Sequence, residues 1–311
     1  MRGKSPSTAK AMGESSNRKF TVVDRGHTAG YFHRYDPFRP GNFLYPERRI
    51  DVFLPRDFDR NDHRYPVLYL NDGHTAFFKP AIADQSWDIA NTLGALYEKR
   101  LIRPLIVVAI HPVNRAREYT HAHWSGPDCC GLESYTQCVA EIIKPFIDMT
   151  YRTLPEPLAT MIAGSSHGGL AAFYLANRRP DAFGYGAALS PSFWVGVDDA
   201  ECYPLIKPWP DRSLKNSQLL NALNETLADP LRRPKLYFDW GLVRTGGLHN
   251  ASIEERATAR GREMVSLCQQ EYAYEIGNDL IAYEDPDGEH NEHSWARRMP
   301  RVLDFFVKAR D

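Results

Sequence analysis

Short apolar runs and amphipathic segments alternate along the chain. Arg49–Leu54 alternates polar and apolar side chains at first, which is typical of a half-buried antiparallel strand. Pro66–Leu70 and Leu105–Ile110 are continuously apolar and end in turn residues, which indicates parallel strands covered on both faces. Further apolar runs predict strands over Thr160–Gly164, Tyr185–Ser190, Lys235–Trp240 and Asp279–Tyr283.

Segments with helical spacing lie between these runs. In Trp87–Lys99 the apolar residues recur every three or four positions, as they do in an amphipathic helix. The same pattern predicts helices over Glu133–Met149, Gly168–Asn177, Ala251–Gln270 and Ala296–Lys308. Alternation of strands and helices predicts an α/β fold: a mostly parallel central sheet with helices on both faces, whose chemistry lies at the carboxyl ends of the strands.

One predicted strand end carries a candidate nucleophile. The chain there reads Gly164-Ser-Ser166-His-Gly168, a G-x-S-x-G pentapeptide directly after an apolar strand and directly before a helix. A nucleophilic serine needs this setting, because a tight strand-to-helix turn with small neighbours lifts its hydroxyl out of the sheet. The spacing selects Ser166 as the nucleophile, and the alternative is an ordinary glycine-rich turn.

A general base is expected near the C-terminus, because serine, acid and histidine follow one another in that order in such folds. His290 and His293 compete for this role. His290 is preferred, because it directly follows the last strand and Gly288 in a loop, whereas His293 stands at the entry to the final helix. A metal site at this pair would need a third ligand, and none is identified, so no metal is predicted there.

A second backbone amide is needed beside the one that follows the serine. The amides of His167 and His74 are the candidates for an oxyanion hole. His167 follows Ser166, and His74 follows the Asp72-Gly73 turn at the end of the first parallel strand. An ordinary Asp-Gly turn is the alternative for the latter.

Composition narrows the class of protein. The 311 residues carry 38 basic and 39 acidic side chains and a net charge of −1, which argues against nucleic acid or anionic lipid as the main partner. No apolar stretch is long enough to span a membrane. Residues 1–20 are expected to form a disordered tail without the apolar core of a secretory signal, and residues 21–311 a single domain.

The cysteines suggest a compartment. Their number is five, which is odd, and the one close pair, Cys129 and Cys130, is adjacent in sequence, where a bridge would be strained. Reduced thiols in a cytoplasmic protein are therefore expected.

Several segments together resemble one family. They are RYPVLYLNDGH, IAGSSHGGLAAFYLANRRPDAFG, ALSPSFW and GEHNEHSW, and the resemblance covers roughly residues 45 to 306. It is to the esterase branch of the α/β-hydrolases, which includes enterochelin (siderophore) esterases, esterase D, feruloyl and acetyl xylan esterases and the mycolyltransferases. The resemblance implies a serine hydrolase acting on small carboxylic esters without metal or organic cofactor. It also implies that the amides of His74 and His167 form the oxyanion hole.

The acid of the expected serine, acid and histidine triad departs from the family pattern. Relatives carry an acid a few positions beyond a glycine that closes a strand, but here Arg244 and Thr245 follow Gly241 in those places. Asp239, near the end of that strand, is the preferred acid. The alternatives are Glu254 or Glu255, and a Ser-His dyad in which a backbone carbonyl orients the imidazole.

The substrate is less sharply defined. The resemblance allows a siderophore-type, aryl or sugar ester, and Arg115 and Arg117 could bind an anionic group of it. Most aromatic residues near the strand ends are expected in the core, with a few available to line an acyl or aryl pocket: Phe77, Phe78, Trp87, Trp124, Phe193, Trp194 and Trp240. Two rival functions use the same fold, namely an acyltransferase and a non-catalytic binding module.

Overall fold

The computed structural model describes residues 19–41, 44–79, 84–124, 127–198 and 212–309. Nine strands in this part of the chain form one sheet, in the order β1-β2-β3-β5-β4-β6-β7-β8-β9. The strands are β1 (Thr21–Val23), β2 (Gly30–Phe38), β3 (Arg48–Pro55), β4 (Val67–Leu70), β5 (Ile106–Ile110), β6 (Thr160–Ser165), β7 (Tyr185–Leu189), β8 (Lys235–Gly241) and β9 (Leu280–Asp285). The predicted tail falls almost entirely outside the described residues.

Pairing divides the sheet into two parts. The pairs β1–β2, β2–β3 and β3–β5 are antiparallel, and every pair from β5 through β4 to β9 is parallel. The predicted α/β class with a mostly parallel sheet is confirmed. Because β4 pairs with β5 on one side and β6 on the other, the chain reverses its direction of progress across the sheet beside β4. Open α/β sheets bind their ligands at such a point.

Helices cover the sheet on both faces. They are α1 (Gly73–Ala76), α2 (Ile89–Glu98), α3 (Arg115–Glu118), α4 (Leu132–Gln137), α5 (Lys144–Thr150), α6 (His167–Arg178), α7 (Gln218–Leu227), α8 (Glu255–Gln270) and α9 (Glu292–Val307). Within β4, Val67 and Tyr69 pack into one core, and Leu68 and Leu70 pack into the other. The continuous apolar runs are explained by this double coverage.

Two π-helical segments interrupt the predicted helices. Cys138–Ile143 joins α4 to α5, and His249–Glu254 leads directly into α8. Such wide turns are rare and occur frequently at functional sites. The final helix also begins earlier than predicted, at Glu292, because the side chain of Asn291 accepts a hydrogen bond from the amide of Ser294 and caps it.

The cysteines differ from expectation. Cys129 and Cys130 are joined by a disulfide, so the prediction that this pair is reduced is wrong for the structure. Cys130 has a φ of 70°, which is a left-handed backbone conformation. The number and spacing of the cysteines do not reveal this conformation. Cys138 and Cys268 are buried free thiols, and Cys202 lies outside the described residues.

The aromatic residues follow expectation. Phe77, Trp87, Phe193, Trp194 and Trp240 are buried, and Phe78 and Trp124 pack against the two cores while partly exposed. In the part of the chain that the structure describes, no helix combines the length and apolar character needed to cross a membrane.

Candidate active site

Ser166 stands on a strained turn between β6 and α6. Its backbone has φ 54° and ψ −123°, a conformation that non-glycine residues rarely adopt. The turn needs glycine on either side. A Cβ on Gly164 would lie 2.2 Å from the carbonyl oxygen of Gly168, and a Cβ on Gly168 would lie 2.8 Å from Oδ2 of Asp72. The G-x-S-x-G spacing thus has a direct steric cause at both glycines.

The hydroxyl of Ser166 begins a short chain of polar groups. Its Oγ is 3.3 Å from Oγ of Ser192, which in turn is 3.2 Å from Nδ1 of His167. Burial, helped by the charge of Arg115, lowers the pKa of His167 to about 3. His167 is therefore neutral at ordinary pH, and its ring can accept a hydrogen bond from Ser192.

The loop after β4 is tied to the serine turn. Nδ2 of Asn71 donates to the carbonyl of Gly168 at 2.9 Å, and the hydroxyl of Tyr135 donates to Oδ1 of Asn71 at 2.6 Å. Arg115 binds Asp72 through two parallel hydrogen bonds of 2.7 and 2.8 Å. The segment that leads into Gly73 and His74 is therefore held in one position relative to α6.

Both predicted oxyanion amides belong to the first turn of a helix. His74 is the second residue of α1, and His167 is the first residue of α6. Amides in the first turn of a helix have no intrahelical carbonyl partner, so they are available to a ligand. The positive end of the helix dipole of α6 adds to the attraction for a developing negative charge.

His290 is held by a buried carboxylate. Its Nδ1 lies 2.5 Å from Oε2 of Glu254, whose side chain is fully buried. The backbone amide of His290 donates to Oδ1 of Asn250 at 2.9 Å. Because an ionised carboxylate only accepts hydrogen bonds, Nδ1 carries a proton, and in the neutral imidazole the lone pair is on Nε2.

Glu254 is itself fixed at its other oxygen. Oε1 accepts hydrogen bonds from the hydroxyl of Ser190, at 2.8 Å, and from the backbone amide of Gly241. Burial alone would raise the pKa of Glu254, but the hydrogen bond and charge of His290 and the charge of Arg298 outweigh it and hold the pKa below its ordinary value. Glu254 is thus a carboxylate at neutral pH.

Asp239 does not occupy the position predicted for it. In the described structure its carboxylate accepts a hydrogen bond from the hydroxyl of Tyr237 at 3.0 Å and lies 3.2 Å from Nε of Arg298, whereas Glu254 is the acid against His290. Asp239 belongs to β8, and its side chain is fully buried. The expectation for Asp239 is corrected in favour of Glu254, which had been an alternative.

The other candidates are distributed as follows. Ser166, His74 and His290 line one cavity of about 200 Å³, together with Asp72, Thr75, Arg115, Ser165, His249, Glu292 and Trp295. His293 is exposed and lines a different cavity, so the preference for His290 agrees with the geometry. Glu255 begins α8 and is not the acid that contacts His290. Arg115 reaches the cavity with its guanidinium engaged by Asp72, and Arg117 lines a separate cavity beside Arg48.

Three features were missed by reasoning from sequence. They are the hydroxyl of Ser192 beside Ser166, the hydroxyl of Ser190 beside Glu254, and the pair of Arg115 with Asp72. The ALSPSFW segment contains both serines and follows a strand that is parallel to β6. The position of this segment at a strand end is the signal in the sequence that points to the two serines.

The nine-stranded, mostly parallel sheet with helices on both faces is that of the α/β-hydrolase fold. A family model described as "Putative esterase" matches residues 42–306, so the chain belongs to this esterase family.

Individual relatives are more distant. The chain is 24% identical over 155 residues to the uncharacterised protein YbbA of Bacillus subtilis, a match that covers 47% of this chain and 58% of YbbA. An IroE-like serine hydrolase from Shewanella oneidensis superposes with a TM-score of 0.62 at 20% identity, over 88% of this chain and 80% of that one. The siderophore hydrolase EstA from Aspergillus nidulans superposes with a TM-score of 0.58 at 16% identity, over 98% and 99% of the two chains. At these identities the two structures show the shared fold.

Proposed function

We propose that this protein is a serine carboxylic-ester hydrolase that works through an acyl-enzyme on Ser166. His290 is the general base, and Glu254 orients it. The hydrogen bond from Nδ1 of His290 to Oε2 of the buried Glu254, made by a histidine that lines the same cavity as Ser166, is the observation that carries the proposal. It leaves Nε2 as the only basic nitrogen of the imidazole.

The reaction takes place in two halves. Oγ of Ser166 attacks the acyl carbon as its proton passes to Nε2 of His290, and the amides of His74 and His167 donate to the oxyanion that forms. When the tetrahedral intermediate collapses, the departing alcohol takes that proton. Water then attacks the acyl-enzyme with the same base, and the acid product leaves.

The orienting carboxylate has an electrostatic task as well. His290 becomes positively charged while it holds the serine proton, and the negative charge of Glu254 stabilises this imidazolium. Glu254 can stay ionised because His290, Ser190 and Gly241 all donate to it. Proton transfer from His290 to Glu254 is therefore not required.

The substrate that fits best is an aryl ester of the siderophore type rather than a sugar ester. A cavity of about 200 Å³ holds little more than the reacting ester group. A second cavity of about 610 Å³ is lined by Phe77, Phe78 and Arg25, by Lys79 with its ion-pair partner Asp84, and by Asp88 and His293. Aromatic rings beside hydrogen-bonding side chains favour an aromatic group that carries phenolic oxygens.

Turnover of short p-nitrophenyl esters and labelling by a fluorophosphonate probe test the mechanism. Ser166→Ala and His290→Ala should each reduce kcat/KM by at least ~10⁴-fold, and Ser166→Ala should abolish labelling. His63→Ala is the matched control and should keep near wild-type turnover, because this exposed histidine lines neither the cavity of Ser166 nor the second cavity. Absence of turnover and labelling in the wild-type protein would overturn the proposal.

A separate comparison tests the substrate class. The wild-type enzyme should hydrolyse a catecholate ester and methyl ferulate with higher kcat/KM than an acetylated xylose. Phe78→Ala should lower kcat/KM for the catecholate ester and methyl ferulate, and leave turnover of p-nitrophenyl acetate, whose acyl group is not aromatic, nearly unchanged. Equal preference for the sugar ester would refute the aryl assignment while leaving the mechanism intact.

A further inference from the structure

A cluster of metal-binding side chains lies in the loop between α3 and α4. The ring nitrogen of His123 and the two sulfurs of Cys129 and Cys130 all lie within 4.8 Å of one another. The base of this loop is closed by two backbone hydrogen bonds: Cys130 donates to Thr120 at 3.1 Å, and Gly131 donates to Arg117 at 2.9 Å. The three side chains are therefore brought together by a loop with fixed ends.

The cluster is accessible from solvent. His123 and Cys130 are exposed, and Cys129 is half-buried. His123 and Cys130 also line a cavity of about 410 Å³, and none of the three side chains lines the cavity of Ser166. The site is thus separate from the proposed catalytic residues.

A second observation concerns His121, which lines the same cavity. Both nitrogens of its ring are buried and have no hydrogen-bond partner among the described residues. A buried imidazole without a partner is unusual, because most buried polar atoms are hydrogen-bonded. His121 therefore places an unpartnered imidazole beside the cavity that His123 and Cys130 border.

We propose that Cys129 and Cys130, once reduced, bind a thiophilic divalent metal ion of the zinc class together with His123. Two thiolates and one imidazole are ligands that zinc prefers, at about 2.3 Å for sulfur and about 2.0 Å for nitrogen. Ligand atoms on a tetrahedral ion are then about 3.3 to 3.8 Å apart, so the two sulfurs move apart as their bond breaks, and all three ligand atoms stay within the 4.8 Å that now encloses them. The fourth position faces water or the cavity that His121 lines.

The disulfide makes this site dependent on redox state. A dithiol such as dithiothreitol breaks the bond between the two sulfurs and becomes a cyclic disulfide itself, while two electrons and two protons pass to Cys129 and Cys130. The metal ion then binds the two thiolates, and the two thiol protons leave to solvent. Oxidation of the pair removes both sulfur ligands.

Cadmium titration of the full chain tests the site directly, because Cd²⁺ bound to thiolate has a charge-transfer absorption band. A Cys202→Ser background removes the cysteine outside the described residues as a source of thiolate. After reduction and anaerobic removal of dithiothreitol, the protein should bind one equivalent of Cd²⁺, and Zn²⁺ should displace it. Before reduction it should bind none, and mass spectrometry after alkylation verifies the thiol state.

Variants assign the ligands. Cys129→Ser and Cys130→Ser should each abolish the one-equivalent band, and His123→Ala should weaken metal affinity by at least about tenfold. His63→Ala, which also removes an exposed imidazole, should leave the titration unchanged. A reduced protein that binds no Cd²⁺, or a titration unaltered in Cys129→Ser and His123→Ala, would overturn the proposal. Because His123 is exposed, its replacement tests the site without disturbing the core.

Discussion

Two fully buried carboxylates behind the candidate active site have opposite properties. Glu254 lies against His290 and Asp239 lies against Arg298, and neither carboxylate reaches solvent. The pKa of Glu254 is held below its ordinary value, whereas burial raises the pKa of Asp239 to about 6 against the opposing charge of Arg298. The degree of burial therefore does not explain why the pKa values of the two acids shift in opposite directions.

Their hydrogen-bond partners do distinguish them. Glu254 receives hydrogen bonds at both oxygens, from His290 on one side and from Ser190 and Gly241 on the other. Asp239 receives one from Tyr237 and lies beside Arg298. Donors aimed at a carboxylate favour its charged form, so the better-satisfied acid is the one suited to stabilise an imidazolium.

Replacing Glu254 should have the largest effect on this pair. In Glu254→Gln the side-chain amide can donate to Nδ1 of His290, which selects the tautomer whose Nε2 is protonated and cannot accept the serine proton. We expect kcat to fall by ~10⁴-fold, measured with p-nitrophenyl esters, with circular dichroism unchanged. Glu255→Gln is the control and should retain activity; a comparable loss there would contradict the assignment of Glu254.

Ser190 links the two carboxylates, and its loss should have an intermediate effect. Its hydroxyl donates to Glu254 and accepts from Nε1 of Trp295 at 3.2 Å and from Nη2 of Arg298 at 2.9 Å. Ser190→Ala should lower kcat by about tenfold to a hundredfold, because one buried oxygen of Glu254 loses a donor.

A control serine outside the candidate site distinguishes the loss of a hydrogen bond to Glu254 from a general loss of stability. Ser217→Ala removes the side-chain cap of α7 and should cost stability while leaving kcat unchanged. If Ser190→Ala behaved in the same way, its role would be structural, and the link between the two carboxylates would have no part in the reaction.

Asp239→Asn should change activity least, by less than about tenfold, and should alter the pH dependence of stability instead. The raised pKa means that folded Asp239 binds more protons than unfolded Asp239 between about pH 4 and pH 6. The wild-type protein therefore loses stability as pH rises through this window. Relative to the variant the loss is on the order of 3 kcal/mol by pH 7, and denaturant unfolding at pH 4 and pH 7 measures it.

The matched control is Asp181→Asn. The hydrogen bonds of Arg179, together with its charge, hold the pKa of Asp181 below its ordinary value, so this variant should gain nothing relative to wild type as pH rises. Equal behaviour of the two variants would show that Asp239 is not a carboxyl with a raised pKa.

The parallel half of the fold was predictable, because buried strands are marked by continuous apolar runs. Val67–Leu70 and Ile106–Ile110 lie within the predicted strands, and Thr160–Ser165 extends its prediction by one residue. The strands Thr21–Val23 and Gly30–Phe38 were not predicted. The second contains Asp36-Pro37 and has exposed positions, so it lacks the uniform pattern of a buried strand.

The positions of Ser166 and His290 were predictable because each is tied to a local signal, a glycine-flanked turn and a strand end. Glu254 carried no such signal. It lies at the end of a π-helical segment, which has about one more residue per turn than an α-helix. The direction of a side chain there therefore differs from the direction that α-helical spacing predicts. Periodicity predicted an ordinary helix over Ala251–Gln270, which leaves the direction of Glu254 undetermined.

The same π-helical segment mechanically couples the proposed acid to the proposed base. Asn250 and Glu254, both within it, hold the backbone amide and the ring of His290 respectively. One six-residue segment therefore supplies both contacts to His290, so its geometry sets the orientation of the imidazole and the ring nitrogen that carries the proton.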